Sequence, residues 1–336
     1  MALPARGTTT LTAAAVKAAA RALGADGVGI ASAAVLDAHP PDPRHPQIPS
    51  RIWSETRSCV AFFKRIPAGA FRARDNACIH HVDQLVLREM DKIGYRLARF
   101  LEGHGASAFQ TAAQETIWEM KNASYGALST RHVAIEAGLG TIGLELNLLT
   151  REAGPRCYTT VVLTDAELEP DGKLREQLCI GEPCSRCLYS CPADAVLHWG
   201  LDKRLCATYA QEFGFSTILR VFREFAGAAG PEAKLEALTR GHEWFGIWQG
   251  LLRVVGAFGD CPRCLAVCPV GEDYHRFLKE HHREIPEKTD GKVERARELL
   301  GLRKAGAPIP GMADGRVRWI GEDGYRPPAR RAETPA

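Results

Sequence analysis

Two cysteine runs limit what this chain can fold into more than any other feature. The first reads Cys179-x4-Cys184-x2-Cys187-x3-Cys191-Pro192, and the second reads Cys261-x2-Cys264-x3-Cys268-Pro269. With Cys206 between them, eight of the eleven cysteines fall between Cys179 and Cys268. Whether such thiols pair with one another or bind metal depends on the compartment. Between Met1 and Gly24 the apolar residues are mostly Ala, broken by Arg6, Lys17 and Arg21, so no export signal is expected. No apolar run approaches the ~18 residues of a membrane span. The expected location is the cytoplasm, where thiols stay reduced and clustered cysteines bind metal or do redox chemistry.

The spacing points to 4Fe–4S clusters. A C-x2-C pair lets a loop wrap a cube and aim backbone amides at its sulfides, and a cysteine followed by proline begins a new element. In two-cluster ferredoxins that closing cysteine ligates the other cluster. The rule places Cys179, Cys184, Cys187 and Cys268 on one cube, and Cys191, Cys261 and Cys264 on the other. The second cube then lacks a ligand, and Cys206 closes the count at four plus four. A zinc ribbon built on the C-x2-C pairs would leave Cys179, Cys191, Cys206 and Cys268 unused. The x4 spacing departs from the bacterial pattern and matches the plant-type C-x4-C-x2-C loop.

The rest of the chain reads as α+β. With 336 residues, 45% hydrophobic and 25% charged, it has material for a sizeable core. A net charge of +3, with Arg326, Arg330 and Arg331 in the tail, is too small to point to nucleic acid. Helices are expected over 9–23, 82–101 and 130–137, the second from its apolar stripe Val82, Leu85, Val86, Met90, Ile93, Leu97, Phe100 and Leu101. Strands are expected at 28–31, 58–63, 106–110, 144–150 and 158–163, with an irregular Pro-rich connection over 36–50. The polar stretch 165–173 marks a boundary. This gives an α/β domain over 1–170, a double-cluster module with a helical insertion over 171–285, and a C-terminal extension over 286–336 that is partly extended or disordered. His80-His81 reads as a solvated pair, and Cys59, Cys78 and Cys157 as buried apolar residues.

The stretches CSRCLYSCPADAV (184–196), DKRLCATY (202–209) and CPRCLAVCPV (261–270) resemble the double-cluster module of epoxyqueuosine reductases and of the corrinoid-dependent reductive dehalogenases. RHVAIEAGLGTIG (131–143) resembles their A-G-L-G-x-x-G segment, and LTREAGP and VLTDAELEP continue the likeness. The resemblance implies a nitroreductase-like α/β domain that cradles base-off cobalamin, and a bacterial-ferredoxin-like module that feeds cobalt one electron at a time. It implies an external donor such as ferredoxin or flavodoxin, and a small-molecule or modified-nucleoside substrate. tRNA is a conceivable partner without support in the sequence. The chain departs from the pattern where those reductases carry an acidic proton donor. It has Ser124-Tyr125 there, with no Asp between Ala112 and Asp165, and Thr141 and Leu144 replace the Trp and Lys of G-W-x-G-K. The departures point away from epoxyqueuosine itself as substrate.

Within this frame Tyr125 is either a proton donor, as a tyrosine is in the dehalogenases, or a packing residue. Arg131 and His132 either meet an anionic corrinoid side chain or form an ordinary surface pair. Gly138, Gly140 and Gly143 permit close approach to a cofactor or a tight helix-to-strand turn. Their G-x-G-x-x-G spacing is not a dinucleotide site, because it follows a helix rather than a strand. The alternative to a corrinoid enzyme is a ferredoxin-like electron-transfer protein without corrinoid.

Overall fold

The computed structural model describes residues 11–41, 46–74, 76–111, 126–239, 241–253, 261–309 and 317–319. In chain order the first elements are α1 (Ala13–Ala22), β1 (Gly27–Ser32), α2 (Ala33–Ala38), β2 (Ser58–Arg65), α3 (Asn76–Gly103), β3 (Ala108–Gln110), α4 (Thr130–Glu136), β4 (Thr141–Ile142), β5 (Leu148–Leu149) and β6 (Cys157–Thr164). There follow α5 (Arg186–Ser190), β7 (Val196–Leu197), β8 (Gly200–Asp202), α6 (Lys203–Ala210), α7 (Phe215–Gly227), α8 (Gly230–Thr239), α9 (Gly241–Arg253), α10 (Pro262–Val267), α11 (Asp290–Lys304) and β9 (Val317–Trp319).

The apolar run SCVAFF is a strand buried on both faces. β2 lies inside a four-stranded sheet of order β1-β2-β6-β3, and every neighbouring pair is antiparallel. Side chains alternate across a strand. Val60 and Phe62 therefore join one core with Ile30, Met90, Ile93 and Leu97, while Cys59 and Ala61 join another with Val133, Ala134 and Ile135. α1 and α3 cover the first face, and α4 covers the second. α1 begins where the Thr12 hydroxyl accepts from the Ala15 N–H at 3.2 Å, and it ends at Gly24, which takes φ +110°.

The cysteine module is keyed into this layer. Leu265, Ala266, Tyr274 and Leu278 belong to the same core as Val60 and Met90. Gly154 and Gly271 meet backbone to backbone: a Cβ on Gly154 would stand 1.9 Å from the Val270 carbonyl oxygen, and one on Gly271 would stand 2.4 Å from the Gly154 nitrogen. Any side chain at either position would force the two segments apart. A third core surrounds Cys187, Leu188, Cys191, Val196 and Leu197.

Several local expectations need correction. Residues 144–150 are not one strand. β4 and β5 pair as a hairpin, Thr141 opposite Leu149, closed by Gly143 N–H to Asn147 O at 2.7 Å and by Leu146 at φ 67°. The connection 36–50 contains part of α2 and a 3-10 turn over Pro49–Arg51. His80 is buried while His81 is exposed, because successive helical residues point about 100° apart. Cys78 is exposed, and Leu85 is 45% exposed despite its place in the apolar stripe. The C-terminal extension expected over 286–336 contains α11, which packs Ala296 and Leu299 into the core around Cys191, and β9, which pairs with β8. The helical insertion takes form as α6 to α9. Among the described residues, no helix is long and apolar enough to cross a membrane.

Candidate metal centre

The two cysteine runs fold as twins. Each makes a short helix, α5 or α10, with one cysteine inside it and another at its end. Cys191 ends α5 at φ −71°, ψ 112°, and Cys268 ends α10 at φ −68°, ψ 121°. Each precedes a proline, which disfavours helical geometry at the residue before it. Ahead of α5, the Cys184 and Ser185 N–H groups both donate to the Gly181 carbonyl, at 2.9 and 3.1 Å, and Ser185 takes the left-handed region at φ 43°. Arg186 ties the twins together: Nε donates to Val267 O at 2.9 Å, and Nη2 donates to Tyr274 Oη at 3.3 Å and to His282 O.

Cys179, Cys184, Cys187 and Cys268 line one shallow open pocket, together with Leu144, Glu145 and Pro269. Cys206 and Cys264 pack against the core that holds Cys191, and burial first, then the charges of Glu145, Cys261, Cys206 and Cys191, raise the Cys264 pKa. Cys206 reaches this place on α6, which Asp202 starts by accepting from the Arg204 and Leu205 N–H groups at 3.0 and 3.2 Å. Thiols from both runs, Cys179, Cys187, Cys191, Cys206 and Cys264, meet around one shared core.

Burial dominates the electrostatics. Desolvation pushes the Cys179 thiol up to about 12, and carries Cys187, Cys264 and Cys268 well above the ordinary thiol value. Thiolates in such surroundings need a cationic core to share their charge. Main-chain N–H groups already favour the ionised sulfurs: Leu144 and Gly181 at Cys179, Arg186 at Cys184 and Val270 at Cys268. Ala195 N–H donates to Cys191 Sγ at 3.2 Å. Zinc needs its ligands about 2.3 Å from a single point. Among the described residues, no group of three or more His, Cys, Asp or Glu side chains is set to hold a single metal ion. An all-thiol donor set with amides aimed at sulfur suits iron–sulfur ligation.

Three features of the centre were not anticipated from sequence. Glu145 is buried on the cavity wall beside Cys187, its carboxyl pushed up to about 7 by desolvation, and Oε1 has no hydrogen-bond partner among the described residues. Its sequence signal is one acid inside the apolar run LELNLL. The Arg156 guanidinium is fully buried and holds the loop that carries Cys268, donating to Leu265 O, Cys268 O and Val270 O at 2.8, 3.0 and 2.7 Å. On α11, Lys292 and Arg295 grip the turn after Cys191.

The residues assigned to corrinoid contact have internal work. Arg131 Nη1 donates to Leu146 O at 3.0 Å. His132 is buried, its Nε2 donates to His39 O at 3.0 Å, and burial followed by the Lys173 charge lowers its pKa to about 4. A Cβ on Gly138, Gly140 or Gly143 would stand 2.5, 2.1 or 2.6 Å from Gly172 O, Leu149 O or the Glu145 carboxylate. The freedom of these glycines is spent on the chain's own packing, and these five residues do not by their geometry make a cradle for a corrinoid. Thr141, which replaces the expected Trp, positions the approach to Cys179. Its Oγ1 donates to Gln177 Oε1 at 2.5 Å and accepts from Leu178 N–H at 3.1 Å, and Gln177 Oε1 accepts from Cys179 N–H at 3.1 Å. Tyr125 lies outside the described residues.

No family model matches the chain. Epoxyqueuosine reductase from Leadbetterella byssophila is 32% identical over 76 residues, 23% of this chain and 24% of that protein. Tetrachloroethene reductive dehalogenase from Desulfitobacterium hafniense is 38% identical over 69 residues, 20% of this chain and 12% of that protein. These matches span about a quarter or less of the relatives' length. A solved structure of epoxyqueuosine reductase from Bacillus subtilis superposes with a TM-score of 0.47 at 18% identity, covering 82% of this chain and 68% of that one, below the level at which a common fold follows.

Proposed function

From the chain's relation to the superfamily of epoxyqueuosine reductases and reductive dehalogenases, we propose that it is an iron–sulfur oxidoreductase. One cube is held by Cys179, Cys184, Cys187 and Cys268, and the other by Cys191, Cys206, Cys261 and Cys264. The observation that carries this reading is the grouping of the thiols on twinned helical turns, each turn ending at a cysteine before proline. Bound 4Fe–4S cubes supply reversible one-electron transfer. The chain's own share is to hold eight sulfurs, to aim N–H groups at them, and to keep water out with Leu144, Leu188, Ala195 and Val196. Arg186 and Arg156 fix the two turns relative to the sheet. An external protein such as ferredoxin or flavodoxin supplies the electrons, and a small molecule or modified nucleoside accepts them. Tyr125 is the proposed proton donor, and Tyr125→Phe tests it by abolishing turnover while leaving iron content intact.

A second reading has a specific observation in its favour. Gly138, Gly140 and Gly143 are filled by the chain's own backbone and side chains, as a ferredoxin-like carrier without corrinoid would have them. Titration of the anaerobically purified protein with cobalamin separates the two. Conversion of the cobalamin to its base-off spectrum supports the corrinoid-dependent reductase. An unchanged cobalamin spectrum, with iron present, supports the carrier.

A further inference from the structure

α11 lies across the turn that follows Cys191, and one helical stripe faces it: Lys292, Arg295, Ala296, Leu299 and Arg303. Ala296 and Leu299 fill the core shared by Leu188 and Val196. The three cations end on main-chain oxygens of the same turn. Lys292 Nζ donates to the Cys191 carbonyl and lies 3.1 Å from Asp194 Oδ1. Arg295 donates to Val196 O at 3.2 Å and to the Asp194 carbonyl. Arg303 donates to His198 O at 3.3 Å, while His198 Nε2 donates back to Ala296 O at 3.0 Å. The Ala195 N–H that meets Cys191 Sγ sits inside the strapped segment.

Covering the core needs only Ala296 and Leu299. Bringing an ammonium to 13% exposure costs desolvation, and the neighbouring carboxylate, 44% exposed, is screened by solvent and offsets only part of it. Lys292 and Arg295 against the one carboxylate of Asp194 leave a net positive charge on the turn that follows Cys191, with Lys292 on the Cys191 carbonyl itself. Adding an electron makes an iron–sulfur cluster more negative. A cation held nearby in low dielectric stabilises that reduced form and raises the potential, which is set in part by local charge.

We infer that Lys292 is a positioning residue that holds Cys191 and raises the reduction potential of the one cluster that Cys191 ligates. The inference rests on the proposed pair of 4Fe–4S clusters. The strap acts on the cluster of Cys191 alone, so its removal should move one potential and not the other.

The test is a redox titration followed by electron paramagnetic resonance on full-length, anaerobically purified protein, with iron assayed first. Lys292→Gln keeps an amide donor and drops the charge. It should retain parental iron, shift one cluster to a more negative potential and leave the other in place. Lys292→Arg should titrate as the parent. Arg297→Gln, on the 71%-exposed outer face of the same helix, should do likewise. If Lys292→Gln loses iron, Arg295→Gln provides the same reading from the second cation. Loaded variants at parental potentials, an equal shift of both clusters, or loss of iron from both Gln variants would overturn the inference. A parent that carries no iron would instead remove the cluster reading on which it stands.

Discussion

Arg156 and Asp273 form a two-pronged ion pair, Nε to Oδ2 at 2.8 Å and Nη2 to Oδ1 at 2.6 Å, that joins the sheet layer to the second cysteine run. The remaining guanidinium N–H groups go to three carbonyls around Cys268, so every donor is used. A fully buried cation is tolerable only in such company.

Arg156→Met should therefore cost about 3–5 kcal/mol, because it strands Asp273 and three buried carbonyls. Arg156→Lys should recover little of this, since an ammonium cannot reproduce the planar fork. Denaturant unfolding measures the loss, and iron analysis of the same samples should show the cluster of Cys268 depleted.

Cys206→Ala should lower iron from about eight to about four per chain, because one cube alone uses that thiol. Iron unchanged in the variant would mean that Cys206 is not a ligand.

In the sheet layer, Leu97 is fully buried between α3 and the sheet. Leu97→Ala should destabilise the protein by about 2–5 kcal/mol without changing iron per folded chain. Equilibrium unfolding of parent and variant reads this directly.

His132 gives a pH dependence with a definite sign. Its folded pKa is about 4, below the ordinary value of 6.5, so the folded state resists protonation. As pH falls from 6.5 towards 4, the unfolded chain binds a proton that the folded chain refuses, and stability declines; above 6.5 the contribution is complete. The total is about 3 kcal/mol. His132→Asn should flatten this window, read as the difference in unfolding midpoint between pH 7.5 and pH 5, about two buffers spanning it. Equal slopes in parent and variant would remove the assignment.

The twinned turns were legible because their determinants are local: a fixed spacing, and a proline that ends each helix. Counting singles out Cys206 as the proposed eighth ligand. The central strands were legible as apolar runs, and the long helix as a stripe. Arg156 was not, since it stands between Pro155 and Cys157 with partners more than 100 residues away. The β4–β5 hairpin was hidden because Leu144–Thr150 is apolar enough to pass for a strand, and only the turn at Gly143–Asn147 breaks it. α11 was missed although it has a capping Thr289, whose hydroxyl accepts from the Lys292 N–H at 3.3 Å. Nothing local marks its inward cations, and only the carbonyls of residues 191–198 give them a buried purpose.

Metal and sulfide analysis of protein purified without oxygen tests the account most directly. Eight thiols in two sets should yield a brown protein with about eight iron and about eight sulfide per chain. A colourless protein with zinc, or no metal, at those sulfurs would contradict it.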